Sequence, residues 1–273
     1  MNLQETVQYI ESKVGVKHPA EKPKIGFILG SGLGEFADQL ASKKVIPFKD
    51  IPHFKKPNVA GHSGEVVFGK IGNIPVVALK GRIHFYEGHS TEEVVYPIRT
   101  LAKLGIETLV VTNSSGGLKP TMRPGEFMVI SDHINLTGQN PLIGRNDDSL
   151  GPRFPDMTEA YDKELSKEMM SVLKKMKVKH SKGIYCGVLG PCYETPAEVK
   201  FLQKIGGGAV GMSTVLEVIA AKHMGLKVVG LSCITNAASG ILAKPLNHKE
   251  VTDAAQKAAK NFIRALTDFT KSI

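Results

Sequence analysis

Lys24-Ile25-Gly26-Phe27-Ile28-Leu29-Gly30-Ser31-Gly32-Leu33-Gly34 is the stretch on which the reading of this chain turns. The apolar run Ile25–Leu29, bounded by a lysine and a glycine, has the pattern of a strand covered on both faces. The glycines that follow let backbone N–H groups approach an anion closely, and Ser31 adds a hydroxyl donor ahead of an expected helix. The same spacing also suits a plain tight turn. Two common nucleotide motifs are excluded: the dinucleotide fingerprint needs glycine where Glu35 stands, and a P-loop needs Gly-Lys-Ser/Thr.

Similar runs recur downstream at Thr108–Thr112, Phe127–Ile130, Ile184–Leu189 and Val228–Ile234, between helical patterns. Glu65–Ile71 and Pro75–Lys80 flank Gly72-Asn73, a pair suited to a tight hairpin turn. The spacing predicts helices from Ser90 or Thr91 to Leu104, from the capping box Thr195-Pro196-Ala197-Glu198 toward Ile205, over Val215–Met224 behind Thr214 and Glu217, and over about Lys249–Lys271. The implied fold class is α/β, with a central mixed β-sheet flanked by helices. No repeat or linker divides the chain, so residues 1–273 are expected to form a single domain. The loop Leu136–Asp156 is long for a compact domain, a feature often tied to function.

Composition narrows the class of function. The chain has 273 residues, 42% hydrophobic and 22% charged, enough for a large core. Its net charge of +9 suits an anionic substrate, a nucleic acid or simply a lysine-rich surface. Basic residues are spread along expected helical segments such as 163–182 and 255–264 without interleaved aromatics, and there is no tryptophan, so no nucleic-acid partner is expected. Cys186, Cys192 and Cys233 are too few and too far apart for a disulfide framework or a zinc pair. The acidic start and the lack of a long apolar run predict a cytoplasmic protein with no membrane partner. His53, His62, His89 and His133 are scattered, and neither a metal nor a cofactor is expected. His62 lies in Ala60-Gly61-His62-Ser63-Gly64, a glycine-flanked setting able to border a ligand, and sequence assigns it no role.

Several segments carry side chains for anion and base recognition. In Lys80–Gly88, an extended backbone would project Arg82, His84 and Tyr86 from one face. Guanidinium grips phosphate in a bidentate fork and imidazole donates beside it; an exposed strand face would look the same. Thr108–Gly117 ends in Asn113-Ser114-Ser115-Gly116-Gly117, small residues that leave room for a ligand or merely form a turn. Ser213, in Gly211-Met212-Ser213-Thr214, aims at an anion or caps the next helix. Glu194, after Tyr193, and Asn236, after Ile234-Thr235, suit a 6-oxopurine edge, because one accepts and the other both donates and accepts. Glu194 is equally explained as a charge favourable to a helix N-terminus, His248 as a helix cap and Met212 as a core residue.

Taken in order, Leu29–Gly34, Gly81–Gly88, Val111–Leu118, Asp132–Leu136, Gln139–Leu142, Arg153-Phe154-Pro155, Gly190–Thr195, Ala209–Thr214 and Ile234–Asn236 resemble the trimeric purine nucleoside phosphorylases over nearly the whole chain. The resemblance implies a nucleoside phosphorylase domain, a homotrimer, and reversible phosphorolysis of purine (deoxy)ribonucleosides such as inosine and guanosine. The products would be free base and (deoxy)ribose 1-phosphate, in purine salvage, with orthophosphate as co-substrate. It implies phosphate binding by Ser31, Arg82, His84 and Ser213 with the backbone around Ser114, and ribose contacts from Tyr86, Met212 and His248. It further implies base recognition by Tyr193, Glu194 and Asn236, catalysis through His84, Glu194 and Asn236, and Phe154 reaching a neighbouring subunit's site. Ser114-Ser115, Tyr193 and Ala237 depart from the vertebrate pattern. A methylthioadenosine phosphorylase would favour aspartate where Asn236 stands, so the asparagine points to 6-oxopurines.

Overall fold

The computed structural model describes residues 1–15, 22–59, 62–242 and 248–273, with backbone alone at 248–250. In chain order the elements are α1 (Leu3–Val14), β1 (Ile25–Leu29), α2 (Glu35–Asp38), β2 (Ala41–Pro47), β3 (Glu65–Ile71), β4 (Ile74–Lys80), α3 (Thr91–Lys103), β5 (Thr108–Gly117), β6 (Phe127–Asn135), α4 (Lys163–Lys175), β7 (His180–Gly187), α5 (Pro196–Lys204), β8 (Gly207–Gly211), α6 (Val215–His223), β9 (Lys227–Ala237) and α7 (His248–Ser272). They build a single-domain α/β fold around one mixed sheet ordered β2-β3-β4-β1-β5-β8-β7-β6-β9.

All five residues of β1 are buried because helices cover both faces of the sheet, which explains its unbroken apolar run. On one face α1, α3 and α6 pack Ile10, Leu101 and Val218 against Ile28, Val77 and Val111. On the other, α2, α4 and α7 bring Phe36, Leu173, Phe262 and Phe269 onto Phe27, Leu29 and Val229. Local chemistry places the helix ends. The Ser90 hydroxyl accepts from the Glu93 N–H at 3.2 Å while Glu93 accepts from the Ser90 N–H at 2.8 Å, a reciprocal cap contributing about 1 kcal/mol. The β3–β4 hairpin turns on Gly72 at φ 59°, as its Gly-Asn pair requires.

Sheet topology creates the cavity. Along its first half β5 lies between β1 and β9, both parallel to it. Beyond Val111 the pairing with β1 ends, and Gly116 and Gly117 pair antiparallel with β8 instead. Strands β5, β8, β7, β6 and β9 then close on themselves, since β9 pairs with both β6 and β5. A crevice opens where β1 stops and β8 begins, the position at which α/β sheets hold ligands.

The glycines after β1 serve this arrangement more than they cradle an anion. A Cβ on Gly30 would lie 2.8 Å from the Asn113 Cα, and one on Gly32, at φ 74°, would lie 2.7 Å from the Ala255 Cβ of α7. Gly30 lets the end of β1 close on β5, and Gly32 lets the turn close on α7. Of this turn only Gly30 and Ser31 line the cavity. The expected loop Leu136–Asp156 contains no helix or strand and leaves Ile143 and Phe154 exposed.

Candidate active site

The crevice holds a cavity of about 120 Å³ lined by Ser31, Arg82, His84, Tyr86, Ser114, Tyr193, Glu194, Met212, Ser213 and Asn236. Ten of the sequence-derived site residues therefore meet in one place, drawn from both halves of the chain. Phe154 does not line it: this side chain is 87% exposed, with the Arg153 guanidinium 5.8 Å from its ring centre. His248 opens α7, and its side chain lies outside the described residues. A larger recess of about 600 Å³, faced by Asp253, Lys257 and Asn261, shares Thr235 and Asn236 with the first. The smaller one is lined by the buried Arg82 and His84 and by Asn113 and Ser115, whose Oδ1 and Oγ have no hydrogen-bond partner among the described residues.

The backbone carrying Arg82, His84 and Tyr86 differs from the extended segment expected. After β4 ends at Lys80 the chain is irregular through His84, then turns through a 3-10 helix at Phe85–Glu87. The reason is Glu87, whose carboxylate accepts from the His84 N–H at 2.7 Å and the Asn58 N–H at 2.6 Å. The turn stacks Tyr86 on His84, ring centres 4.7 Å apart. Convergence is achieved by a tight turn, not by strand alternation.

Arg82 is also held differently from a free fork. Its Nη1 donates to Glu217 Oε2 at 3.0 Å and its Nη2 to the Thr112 carbonyl. The enclosed Nε has no hydrogen-bond partner among the described residues. A buried cationic N–H left in this state costs on the order of 1–3 kcal/mol. Glu217 reads from sequence as the third residue of a capping box, and it does accept from the Thr214 N–H at 3.1 Å. Its pairing with Arg82 was hidden by sequence separation.

Ser213 stands on a strained turn. The Val215 N–H donates to the Ser213 carbonyl at 2.8 Å, and Thr214 sits at φ 74°, ψ −52°, a γ-turn costing on the order of 1–3 kcal/mol. Glu217 and the Asn113 amide, which donates to the Thr214 hydroxyl at 2.9 Å, hold it in place. Across the cavity the Ser114 hydroxyl donates to the Ser31 carbonyl at 2.8 Å, pinning the glycine turn.

Electrostatics separates the titratable groups. Burial pushes the His84 imidazole below its ordinary pKa, with the bond to Glu87 opposing and the Arg82 charge adding to the fall. Its Nδ1 lies 3.0 Å from Glu87 Oε1, and a carboxylate only accepts, so Nδ1 donates. The neutral ring then presents Nε2 to the cavity as a lone pair and donates from it only when protonated, a narrower role than the sequence suggested. Burial raises the Glu194 carboxyl and pushes the Tyr86 phenol to about 12. Asn236 is 9% exposed; Thr235 Oγ1 donates to its Oδ1 at 3.0 Å and its Nδ2 donates to the Ala237 carbonyl at 3.0 Å. That leaves one amide hydrogen and one oxygen lone pair for a ligand. Sequence reading gave no site role to Glu87, Val251 and Glu217, although Glu87 stands three residues after His84; Asn113 and Thr235 lay in segments it singled out, without a role of their own.

No helix among the described residues is long and apolar enough to cross a membrane. Residues 24–271 match the phosphorylase superfamily. Purine nucleoside phosphorylase 1 of Bacillus subtilis (strain 168) is 50% identical over 244 residues, covering 89% of this chain and 90% of its own. The structure of Schistosoma mansoni purine nucleoside phosphorylase in complex with adenosine superposes with a TM-score of 0.93 at 35% identity, covering 100% of this chain and 97% of that one. The same enzyme in complex with inosine gives 0.92 at 34%, covering 99% and 96%. With these likenesses running through every element that shapes the cavity, the chain belongs to the phosphorylase superfamily, among its purine nucleoside phosphorylases.

Proposed function

We propose that the cavity binds orthophosphate beside a purine nucleoside and that the enzyme cleaves the glycosidic bond by phosphorolysis. The observation that carries this reading is the convergence on one cavity of Arg82, a buried cation, with Ser31, His84, Ser114 and Ser213, a set of groups suited to an oxyanion. Ser31, Ser213 and the backbone at Ser114 donate to the remaining phosphate oxygens. His84 Nε2 accepts from the single hydroxyl of the phosphate dianion. Tyr86, Met212 and His248 contact ribose, and Tyr193 stacks near the base.

One phosphate oxygen attacks the anomeric carbon, the C–N bond breaks, and its electron pair leaves on the purine, which ends with the proton that the phosphate hydroxyl gives up. The products are ribose 1-phosphate and the free base. Asn236 donates its remaining amide hydrogen to the base near N7, where negative charge grows, and Glu194 accepts from N1–H. Stabilisation of developing charge by fixed donors is the main source of acceleration. No cofactor enters this scheme.

The substrates on this reading are inosine and guanosine and their deoxy forms, used in purine salvage in the cytoplasm. Residues 1–273 act as one catalytic domain in a homotrimer, with Phe154 reaching a neighbour's cavity. Support for that surface comes from Ile143 and Phe154, 79% and 87% exposed on one loop. The test is turnover of inosine, guanosine and adenosine by wild type and Asn236→Ala. Inosine and guanosine should be preferred, and the variant should lose roughly a hundredfold to a thousandfold in turnover. Preference for adenosine, or near-normal turnover by the variant, overturns the base assignment.

A further inference from the structure

Another cavity, of about 480 Å³, shares no lining residue with the candidate active site. Glu92, Tyr96 and Arg99, spaced three and four residues apart on one face of α3, line it. His223, the last residue of α6, joins them at 3% exposure, and the loop after β6 contributes Arg145 and Asp147.

Arg99 is held here without an acidic partner. Its Nη2 donates to the Pro141 carbonyl at 3.4 Å, and its buried Nε has no hydrogen-bond partner among the described residues. Burial lowers the pKa of the guanidinium, and Glu92 and Asp147 oppose the fall by longer-range charge, without an ion pair among the described residues. The Asp147 carboxylate instead accepts from the Ser149 N–H at 3.0 Å. His223 is the second enclosed group: neither ring nitrogen has a hydrogen-bond partner among the described residues. Burial lowers its pKa, the Arg99 charge adds to the fall, and the Gly151 and Pro152 carbonyls oppose it.

A guanidinium does not deprotonate, so a shielded one calls for a negative charge close by. An oxyanion brings that charge together with acceptor lone pairs for Arg99 Nε–H and an imidazole N–H. A metal cation would be repelled, and a neutral ligand would leave the charge uncompensated. The C-terminal dipole of α6 opposes an anion with about half an elementary charge, which the full charge of Arg99 outweighs.

We infer that this cavity is a second anion site, in which Arg99 and His223 bind a phosphate group, free or carried on a small ester. It lies at the opposite end of α6 from Glu217, the anchor of Arg82, so its occupant would tie α3, α6 and the loop 136–156 together away from the catalytic groups. The inference does not depend on the phosphate assignment at Arg82.

The test is equilibrium binding of labelled inorganic phosphate to wild type, Arg99→Gln and His223→Asn. Wild type should show two classes of phosphate, and Arg99→Gln should weaken one of them at least about tenfold, with a smaller loss in His223→Asn. Turnover of inosine at saturating phosphate should stay within about twofold in both variants. Glycerol 3-phosphate should compete for this class more strongly than sulfate if the occupant is an ester, and equally if it is the free ion. A single class that survives Arg99→Gln overturns the proposal; a single class lost in Arg99→Gln supports it and contradicts the catalytic assignment instead. Independently of any variant, wild-type crystals soaked in selenate should show an anomalous peak within hydrogen-bond reach of Arg99 Nε and a His223 nitrogen. Water alone there, a neighbouring copy's carboxylate against Arg99, or a peak without the second class in solution, an adventitious ion only, contradicts the proposal.

Discussion

Arg82 Nη1 donates to Glu217 Oε2 at 3.0 Å, with the two side chains 4% and 2% exposed, so the cavity's principal cation is anchored to a buried carboxylate at the start of α6. Breaking such a pair leaves an uncompensated charge in a low dielectric. Glu217→Ala should therefore lose about 3–5 kcal/mol of stability in denaturant titrations without phosphate. Added phosphate should recover more stability in the variant than in wild type, because the ligand then supplies the missing negative charge. An equal shift in both would separate the pair from the anion site.

Gly30 lies against β5 at a distance that admits no side chain, its missing Cβ 2.8 Å from the Asn113 Cα. Gly30→Ala must push β1 from β5 or displace Asn113, whose amide steadies Thr214. A loss of about 1–3 kcal/mol, with a rise in the phosphate KM, is expected from calorimetry and kinetics. Full stability with normal kinetics would mean that the approach of β1 to β5 is not needed.

Thr235 and Asn236 form a unit in which the hydroxyl, at Oδ1, and the Ala237 carbonyl, at Nδ2, hold the amide orientation together. Thr235→Val keeps the shape and removes the bond. Turnover of inosine should fall roughly threefold to tenfold with little change in KM, as expected for a contact that matters most when charge reaches the base.

Glu194 carries a carboxyl raised by burial, with Glu198 adding to the shift. Only the ionised form accepts from a purine N1–H, so kcat/KM for inosine should be level above the raised pKa. It should fall about tenfold per pH unit below it. Glu194→Gln should lower the plateau and abolish this acid limb. Persistence of the limb in the variant would assign it to another group.

How far sequence reached depended on whether the signal was local. Strand β1 and the β3–β4 hairpin were legible almost to the residue, because apolar runs end at glycine. β5 and β9 run past their expected ends at Thr112 and Ile234 because their last residues, Asn113–Gly117 and Thr235–Ala237, turn polar to line the cavity. β2 was not legible: Ser42, Lys43 and Lys44 lie on an exposed strand with no alternation to read. Barrel closure depends on β9 pairing with both β5 and β6, contacts that no local pattern encodes. In the site, Arg82, His84 and Asn236 stood out by residue type. Glu217 was recognised as a cap, and its ionic partner became visible only in three dimensions.

Base release from inosine with and without orthophosphate, followed together with phosphate consumption, tests the central claim most directly. One phosphate should disappear for each hypoxanthine formed, with ribose 1-phosphate accumulating and no release when phosphate is left out. Release of base at the same rate without phosphate, or with free ribose as the product, would contradict the account.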